Sequence, residues 1–172
     1  KPLAAYIHNS IKDKSPALDD GTPAGTYVDA TGGWYDAGDF NRYTRTAALA
    51  VENFMSYYEL KPANFSDNQL NLPESGNGIP DILDEAKYEL DWLTKMVGKN
   101  GCTSNKISYE TWPNNIPSKT TGKLWMITRT TGDTAAAVAA LAQAARVYRN
   151  IDPVSAKIYQ DKADLAWQCL EK

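Results

Sequence analysis

The chain has 172 residues and a formal net charge of −3, with 42% hydrophobic and 23% charged residues. This length fits one domain, and the composition is that of an ordinary globular protein. Lysines and arginines are scattered rather than clustered, which argues against a nucleic-acid surface, and no apolar run approaches the ~20 residues that span a bilayer. One histidine, His8, and two cysteines, Cys102 and Cys169, exclude a multi-histidine metal site and are too few for a zinc cluster or a disulfide scaffold.

The N-terminal part of the chain is predicted to be mostly irregular. Residues 1–40 are rich in Gly, Pro, Asp and Thr and indicate loop, with at most a short strand near Thr26–Val28. From about Thr44 to Tyr58, apolar residues recur at helical spacing. Lys61 precedes Pro62, and proline disfavours a helical residue before it, so the first helix is expected to end there.

The segment IPDILDEAKYELDWLTKMVG, residues 79–98, carries the clearest helical pattern. Pro80 suits the first helical position, and Gly98 suits the C-terminal stop. Asp91 and Lys95 are expected to pair at i,i+4 on the outer face. One apolar stripe should face the core, and it consists of Ile82, Leu83, Ala86, Leu90, Leu93 and Val97.

Two more helices are predicted after a long connection, residues 99–131, which carries several aromatic residues; a structureless loop of this length is uncommon and often functional. Asp133 or Thr134 is expected to cap the third helix, whose alanines permit close approach of neighbours on more than one face. Asp152-Pro153 is expected to cap and open the fourth helix, which runs to about Leu170. Four helices with long loops and almost no strand signal predict an all-α fold, either a bundle or an α/α toroid.

The stretch GGWYDAGDF, residues 32–40, places Asp36 and Asp39 three residues apart among glycines and aromatic residues. Taken alone, DAGD is typical turn chemistry. A calcium loop of the EF-hand type fails, because the positions that require oxygen side chains hold glycine, phenylalanine and alanine when counted from Asp36. Glycoside hydrolysis uses two carboxyl groups, which inverting enzymes hold ~6.5–9.5 Å apart. Asp36 and Asp39 are close in sequence, so they suit holding one water together better than acting as opposed acid and base.

Three segments together resemble glycoside hydrolase family 9, the inverting cellulases. GGWYDAGDF resembles the family signature, and ESGNGIPDILDEAKYELDWLTKM is similar to the second hallmark of its bacterial branch. TTGDTAAAVAALAQAARVYRNIDP is similar to the family's next helix and turn, and the three matches follow the family's order. The resemblance implies an (α/α)6 barrel, of which residues 1–172 are expected to form the N-terminal portion.

The resemblance also implies roles for single residues. The family cleaves β-1,4-glucosidic bonds of cellulose and related β-glucans with inversion; the second Asp of DAGD is the general base, and the first helps to hold the attacking water. These roles carry over to Asp39 and Asp36. Paired carboxylates tend to raise one of their pKa values, so we expect Asp39 to be the well hydrogen-bonded member. Tyr35, Trp112 and Trp125 are candidates for stacking on sugar. The chemistry requires no cofactor, and a structural calcium stays unassigned.

Two departures from the family pattern shape the functional expectation. The family's general acid is a Glu near the end of a domain more than twice this length, and Glu171 does not correspond to it. The chain is therefore expected to be inactive alone and to need the remaining part of the catalytic domain as its partner, with a β-glucan or cello-oligosaccharide as substrate. Many relatives carry a sugar-contacting His before a Lys; here the pair is Asn105-Lys106, which leaves room for a shorter oligosaccharide or another β-glycan.

Other classes of function stay open at this point. A non-catalytic carbohydrate-binding or degenerate homologue is disfavoured by the retained pair Asp36 and Asp39, and an all-α scaffold is disfavoured by the long aromatic loops. An exo-acting β-glycosidase of the same family remains an alternative. The resemblance implies an extracellular or cell-surface location, because polymeric glucan lies outside the cell, and no nucleic-acid or membrane partner is expected. His8 is expected to have a surface or packing role.

Overall fold

The computed structural model describes residues 4–7, 22–23, 25–113, 116–120 and 122–172, so His8 lies outside the described residues. The described part is predominantly helical, with four α-helices, as predicted. The helices are α1 (Thr44–Leu60), α2 (Asp81–Met96), α3 (Thr131–Tyr148) and α4 (Pro153–Leu170). Five short strands accompany them: β1 (Ala4–Ile7), β2 (Tyr27–Asp29), β3 (Arg42–Tyr43), β4 (Lys106–Tyr109) and β5 (Leu124–Met126).

The helices pack through small and apolar side chains. Helix α3 lies against both α1 and α4, and α1 lies against α2. In α3, Ala137, Ala140 and Ala144 are fully buried, and its contacts with both α1 and α4 confirm that α3 is buried on more than one face. Within the described ranges, no helix combines the length and apolar character needed to cross a bilayer.

Both ends of α2 differ in detail from the prediction. Pro80 is the N-cap in extended conformation rather than the first helical residue, so α2 begins one position later. Gly98 is not the helical stop, because Val97 already leaves the helix in extended conformation. The Arg129 guanidinium packs against this glycine, so a side chain at position 98 would require Arg129 to move. A bridge between Val97 and Thr103 gives the chain a non-helical partner at this point.

The predicted ion pair between Asp91 and Lys95 is wrong. Lys95 instead crosses to the segment before the DAGD motif, where its Nζ lies 3.0 Å from Asp29 Oδ2 and donates to the carbonyl of Thr31 at 3.0 Å. Asp91 pairs with Lys87 one turn earlier, at 3.0 Å. Lys95 therefore pairs with a residue outside α2 instead of with Asp91, and this contact links α2 to the segment before the DAGD motif.

A side chain caps the N-terminus of both α3 and α4, but only the cap of α4 is the predicted residue. Thr130, not Asp133 or Thr134, caps α3, and its hydroxyl accepts a hydrogen bond from Asp133 N at 3.1 Å. Asp133 lies in the first turn of α3, where a negative charge interacts favourably with the positive end of the helix dipole. For α4 the prediction is confirmed, because Asp152 accepts from Ser155 N at 3.1 Å and Pro153 opens the helix.

A small sheet is the main feature that the sequence analysis missed. Its strand order is β2-β1-β5-β4-β3, with β1 and β5 parallel and the other neighbours antiparallel. The connection 99–131, predicted to be a long loop, supplies β4 and β5. Strand β2 confirms the short strand expected near Thr26–Val28. Strands of two to four residues carry too little alternation to be recognised without their partners.

A disulfide joins Cys102, in the turn after α2, to Cys169 near the end of α4. The two residues are 67 positions apart, so the bond closes a long loop of the chain that contains β4, β5, α3 and most of α4. The cysteines are too few for a disulfide scaffold, as the sequence suggested, yet they form one long-range cross-link.

Removing this cross-link should lower stability. We expect Cys169→Ser to reduce the free energy of unfolding by about 2–5 kcal/mol, because the open chain regains loop entropy. Dithiothreitol should lower the Tm of the wild type toward that of the variant in thermal unfolding. A Tm of the variant that falls further on reduction would contradict a single cross-link between Cys102 and Cys169.

The tight packing around α3 gives a second test. Ala140→Leu should destabilise the protein by about 1–3 kcal/mol, because the added side chain has no room at a fully buried position. Ala139→Leu is the matched control, since Ala139 is exposed on the same helix and should be near neutral. Urea titration of both variants measures the difference, and equal effects would contradict the described burial.

Candidate active site

The DAGD motif forms a tight loop immediately before β3. Asp36 N donates to Asn41 O at 2.9 Å, and Phe40 N donates to Ala37 O at 3.1 Å, which closes the loop on itself. Phe40 adopts a φ of 54°, in the left-handed region that non-glycine residues seldom occupy. Such strained positions cluster at functional sites, where surrounding contacts hold them in place.

Asp39 lies almost buried at the base of this loop, with 7% of its surface exposed. Its Oδ1 accepts a hydrogen bond from Asn41 N at 3.0 Å. Its Oδ2 accepts from Asn41 Nδ2 at 2.8 Å and from the Tyr43 hydroxyl at 2.6 Å. The expectation that Asp39 is well hydrogen-bonded is confirmed.

These contacts decide the charge of Asp39. Burial favours its neutral form, but the hydrogen bonds from Tyr43 and Asn41, aided by the positive charge of Lys106, hold its pKa below the ordinary value. Burial and the same bond to Asp39 raise the pKa of Tyr43, so its hydroxyl keeps the proton that it donates. Asp39 therefore stays an anion at neutral pH.

A cleft of about 230 Å³ opens beside this group. Asp36 lines it with an exposed carboxylate that accepts a hydrogen bond from the Thr46 hydroxyl. Tyr43 also lines it, so the residue that holds Asp39 faces the same space as Asp36. The full lining is Trp34, Tyr35, Asp36, Tyr43, Thr46, Ala47, Ala50 and Glu89.

The structure places the three candidate aromatic residues in different settings. Tyr35 lines the cleft, is 41% exposed and packs against the Phe40 ring at 5.6 Å. It also lines a neighbouring groove of about 380 Å³ that is bounded by Tyr88. Trp112 is 69% exposed just beyond β4, and Trp125 is half-buried in β5 with the Lys123 ammonium over its ring. Neither tryptophan lines the cleft or the groove, so their contact with substrate stays a prediction.

Sequence reasoning missed two buried charged residues at the cleft, Arg42 and Glu89, of which Glu89 lines the cleft itself. The Arg42 guanidinium is buried and donates through Nη1 to Ala30 O at 2.9 Å and to Gly32 O at 2.5 Å. Glu89, on α2, is 1% exposed, and its Oε2 accepts a hydrogen bond from Trp34 N. A signal for Glu89 was present, because it occupies the same helical face as the predicted apolar stripe. A carboxylate on that face indicates a buried polar contact.

Carboxylates near the motif do not form a metal centre. Across residues 25–113 and the other described ranges, no group of three or more His, Cys, Asp or Glu is arranged to hold a metal ion. Asp36 and Asp39 each accept hydrogen bonds from neighbouring side chains.

Comparison with known proteins is consistent with this geometry. The family model described as Glycosyl hydrolase family 9 matches residues 3–172. A cellulose 1,4-beta-cellobiosidase of Acetivibrio thermocellus is 34% identical over 169 residues, which covers 88% of this chain and 19% of that protein. Endoglucanase D of the same organism is 30% identical over 171 residues, which covers 96% of this chain and 27% of that protein.

The fold has close counterparts among solved structures. A metagenome-derived glycoside hydrolase family 9 endoglucanase superposes with a TM-score of 0.90 at 38% identity, covering 98% of this chain and 30% of that one. The chain spans 19% and 27% of the length of the two curated relatives, which is between about a fifth and just over a quarter. Its helices correspond to part of the family's (α/α)6 barrel. On the match over nearly its whole length, the chain belongs to glycosyl hydrolase family 9.

Proposed function

We propose that this chain supplies the base side of an inverting glycosidase that cleaves β-1,4-glucosidic bonds of cellulose or related β-glucans. The observation that carries the proposal is Asp39, a nearly buried carboxylate that three hydrogen bonds keep ionised beside an open cleft. An ionised carboxylate held in one orientation is what a general base needs. Membership of the family adds the reaction type, because its similar members include a cellobiosidase and an endoglucanase.

In the proposed mechanism, Asp39 removes a proton from a water that attacks the anomeric carbon. Oδ1 is the better acceptor for this proton, because it accepts one protein hydrogen bond whereas Oδ2 accepts two. Asp36, on the wall of the cleft, orients the same water through its exposed carboxylate. Attack from the face opposite the leaving group inverts the configuration.

The departing sugar requires a general acid, which we assign to a Glu elsewhere in the complete catalytic domain. Without it the 172 residues would lack acid assistance, which is typically worth about 10²–10⁴-fold. The proposed partners are therefore the β-glucan or cello-oligosaccharide substrate and the rest of the domain. The proposed setting is extracellular or at the cell surface, where polymeric glucan is found.

Tyr35 is the proposed sugar platform on this chain, since its exposed ring borders both the cleft and the neighbouring groove. Aromatic rings combine an apolar face with a polar edge, which suits stacking on a pyranose ring. Trp112 and Trp125 remain proposed contacts further along the glucan. Both stand outside the linings of the cleft and the groove.

An exo-acting mode is the second candidate, and the similarity to a cellobiosidase favours it. The two modes predict different products from the same site. An endo-acting enzyme lowers the viscosity of soluble β-glucan early, whereas an exo-acting enzyme releases short sugars with little loss of viscosity.

The assignment of the base is tested by Asp39→Asn in the complete enzyme. We expect kcat on soluble β-glucan to fall by about 10²–10⁴-fold, because the amide cannot take the proton of water. Asp36→Asn should cost less, since an amide can still orient water. Asp164→Asn on α4 is the matched control and should leave kcat unchanged. Wild-type activity of Asp39→Asn, with loss in Asp36→Asn, would reverse the two roles.

The hydroxyl of Tyr43 gives a pH test of the same site. It donates to the ionised form of Asp39 and so lowers the pKa of that carboxyl. Tyr43→Phe should therefore raise this pKa and move the acid limb of kcat/KM upward by about one pH unit. Tyr57→Phe, an exposed position on α1, is the control and should leave the profile in place. An acid limb that stays fixed in Tyr43→Phe would mean that another group governs it.

A further inference from the structure

The segment that leads into the DAGD loop is held from two sides by buried charged groups. From β3, Arg42 donates through Nη1 to the carbonyl oxygens of Ala30 and Gly32. From α2, Glu89 Oε2 accepts a hydrogen bond from the backbone N–H of Trp34. Trp34 is two residues before Asp36, so its hydrogen bond to Glu89 fixes the chain just before the proposed catalytic pair.

Close approach of the backbone to α2 adds a third constraint. Gly33 has a φ of 79°, and a Cβ at this position would lie 2.7 Å from the Trp92 ring. Glu89 and Trp92 are three residues apart and therefore share one face of α2. The segment is thus pressed onto the same helical face that presents the Glu89 carboxylate.

Within the described part of the chain, the buried carboxyl group of Glu89 has few hydrogen bonds and no ion pair to offset its removal from water. Oε1 has no hydrogen-bond partner among the described residues, and Arg42 contributes attraction without a direct ion pair. Burial raises the pKa of Glu89 to about 7, against the opposing effects of the Trp34 hydrogen bond and the Arg42 charge, while Glu85 raises it further. A buried charge with incomplete pairing is often more costly than a hydrophobic residue at the same position, and the hydrogen bond with Trp34 N is the contact that this carboxylate makes in return.

We propose that Glu89 is a positioning residue for the base: its buried carboxylate fixes the backbone at Trp34 and so sets where Asp36 stands on the wall of the cleft and where Asp39 lies beside it. This inference rests on the proposed function for its effect on catalysis. Glu89 also lines the cleft, but the role proposed for it is exerted through its hydrogen bond with the Trp34 amide.

The contact is tested in the complete enzyme with two variants of Glu89. Glu89→Ala removes the acceptor, whereas Glu89→Gln keeps a side-chain oxygen and nearly the same volume. The matched controls are Glu85→Ala and Glu85→Gln, one turn earlier on α2. Glu85 has the same charge, is half-buried and makes no contact with the segment 30–34 among the hydrogen bonds and ion pairs described.

We expect Glu89→Ala to lower kcat on β-glucan by about 10- to 100-fold with little change in KM, because a small displacement of a catalytic group is enough for such a loss. Glu89→Gln should recover most of the lost kcat at low pH. The Glu85 variants should keep wild-type kcat when compared above the titration range of Glu89, because Glu85 affects Glu89 by raising its pKa. A kcat for Glu89→Ala equal to that of wild type, or an equal loss in Glu85→Ala, would overturn the proposal.

A pH series separates positioning from simple packing. The charged and titratable groups around Glu89 are Arg42 from β3, Glu85 from α2, and Tyr35, Asp36 and Tyr43, which line the cleft. Below about pH 7 the carboxyl is neutral and resembles the amide of Glu89→Gln; above it the ionised oxygen accepts a stronger hydrogen bond. The ratio of wild-type kcat to that of Glu89→Gln should therefore rise with pH as a one-proton titration. A ratio that stays flat would overturn the proposal.

Hydrogen exchange of a peptide that covers residues 30–36 tests the contact without any activity. Exchange should be faster in Glu89→Ala than in wild type, partly restored in Glu89→Gln and unchanged in the Glu85 variants. Unchanged exchange in Glu89→Ala would overturn the contact itself. If the wild-type complete enzyme releases no sugar from β-glucan, the proposed function fails, and the exchange result still decides whether Glu89 holds the segment.

Discussion

One constraint governs this part of the molecule: Asp39 must be almost removed from water and still carry its charge. Burial alone would favour the neutral acid, and its effect is the largest single influence on this carboxyl. Asn41 and Tyr43 reverse the outcome with three hydrogen bonds to the two oxygens. Both donors follow within four residues, so the local chain around DAGD carries most of what makes the group a base.

The rest of the fold keeps those donors in place. Tyr43 belongs to β3, which pairs antiparallel with β4, and Asn41 accepts a hydrogen bond through Oδ1 from Tyr109 N at 3.0 Å. Strand β4 lies more than sixty residues further along the chain, so the geometry of a local motif depends on non-local pairing. On the opposite side, α2 presents Glu89 to the segment before the motif. The proposed base therefore stands between a sheet edge and a helix face, and neither is part of the signature that identifies it.

The predictions succeeded where the physical signal was local in sequence and failed where it depended on distant residues. Long periodic segments gave all four helices and the role of Asp152 as a cap, because repeated apolar spacing and capping chemistry are local. The sheet was missed because strands of two to four residues gain their stability from partners distant in sequence. The Asp91–Lys95 pair failed for a related reason, since Lys95 found Asp29 on another element. Glu89 could have been singled out as a carboxylate on an apolar face. Its partner could not be predicted, because every residue except proline has a backbone amide and the sequence does not indicate which one lies nearby.

The two residues of the pair Asn105-Lys106 have different roles in the structure. Asn105 is engaged in packing: its Nδ2 donates to the buried Asp133 at 3.0 Å, and its backbone N–H donates to Thr128 O at 3.0 Å. Lys106 lies with Nζ 5.0 Å from the centre of the Tyr43 ring, where its charge also lowers the pKa of Asp39. The lysine thus supports the ionised base, whereas the asparagine, which the family resemblance places where many relatives carry a sugar-contacting histidine, has its side chain turned to α3. We therefore propose that the asparagine changes how sugar is held at this point while Lys106 preserves the charge of Asp39, so that the proposed substrates include β-glucans other than cellulose and the proposed chemistry stays the same.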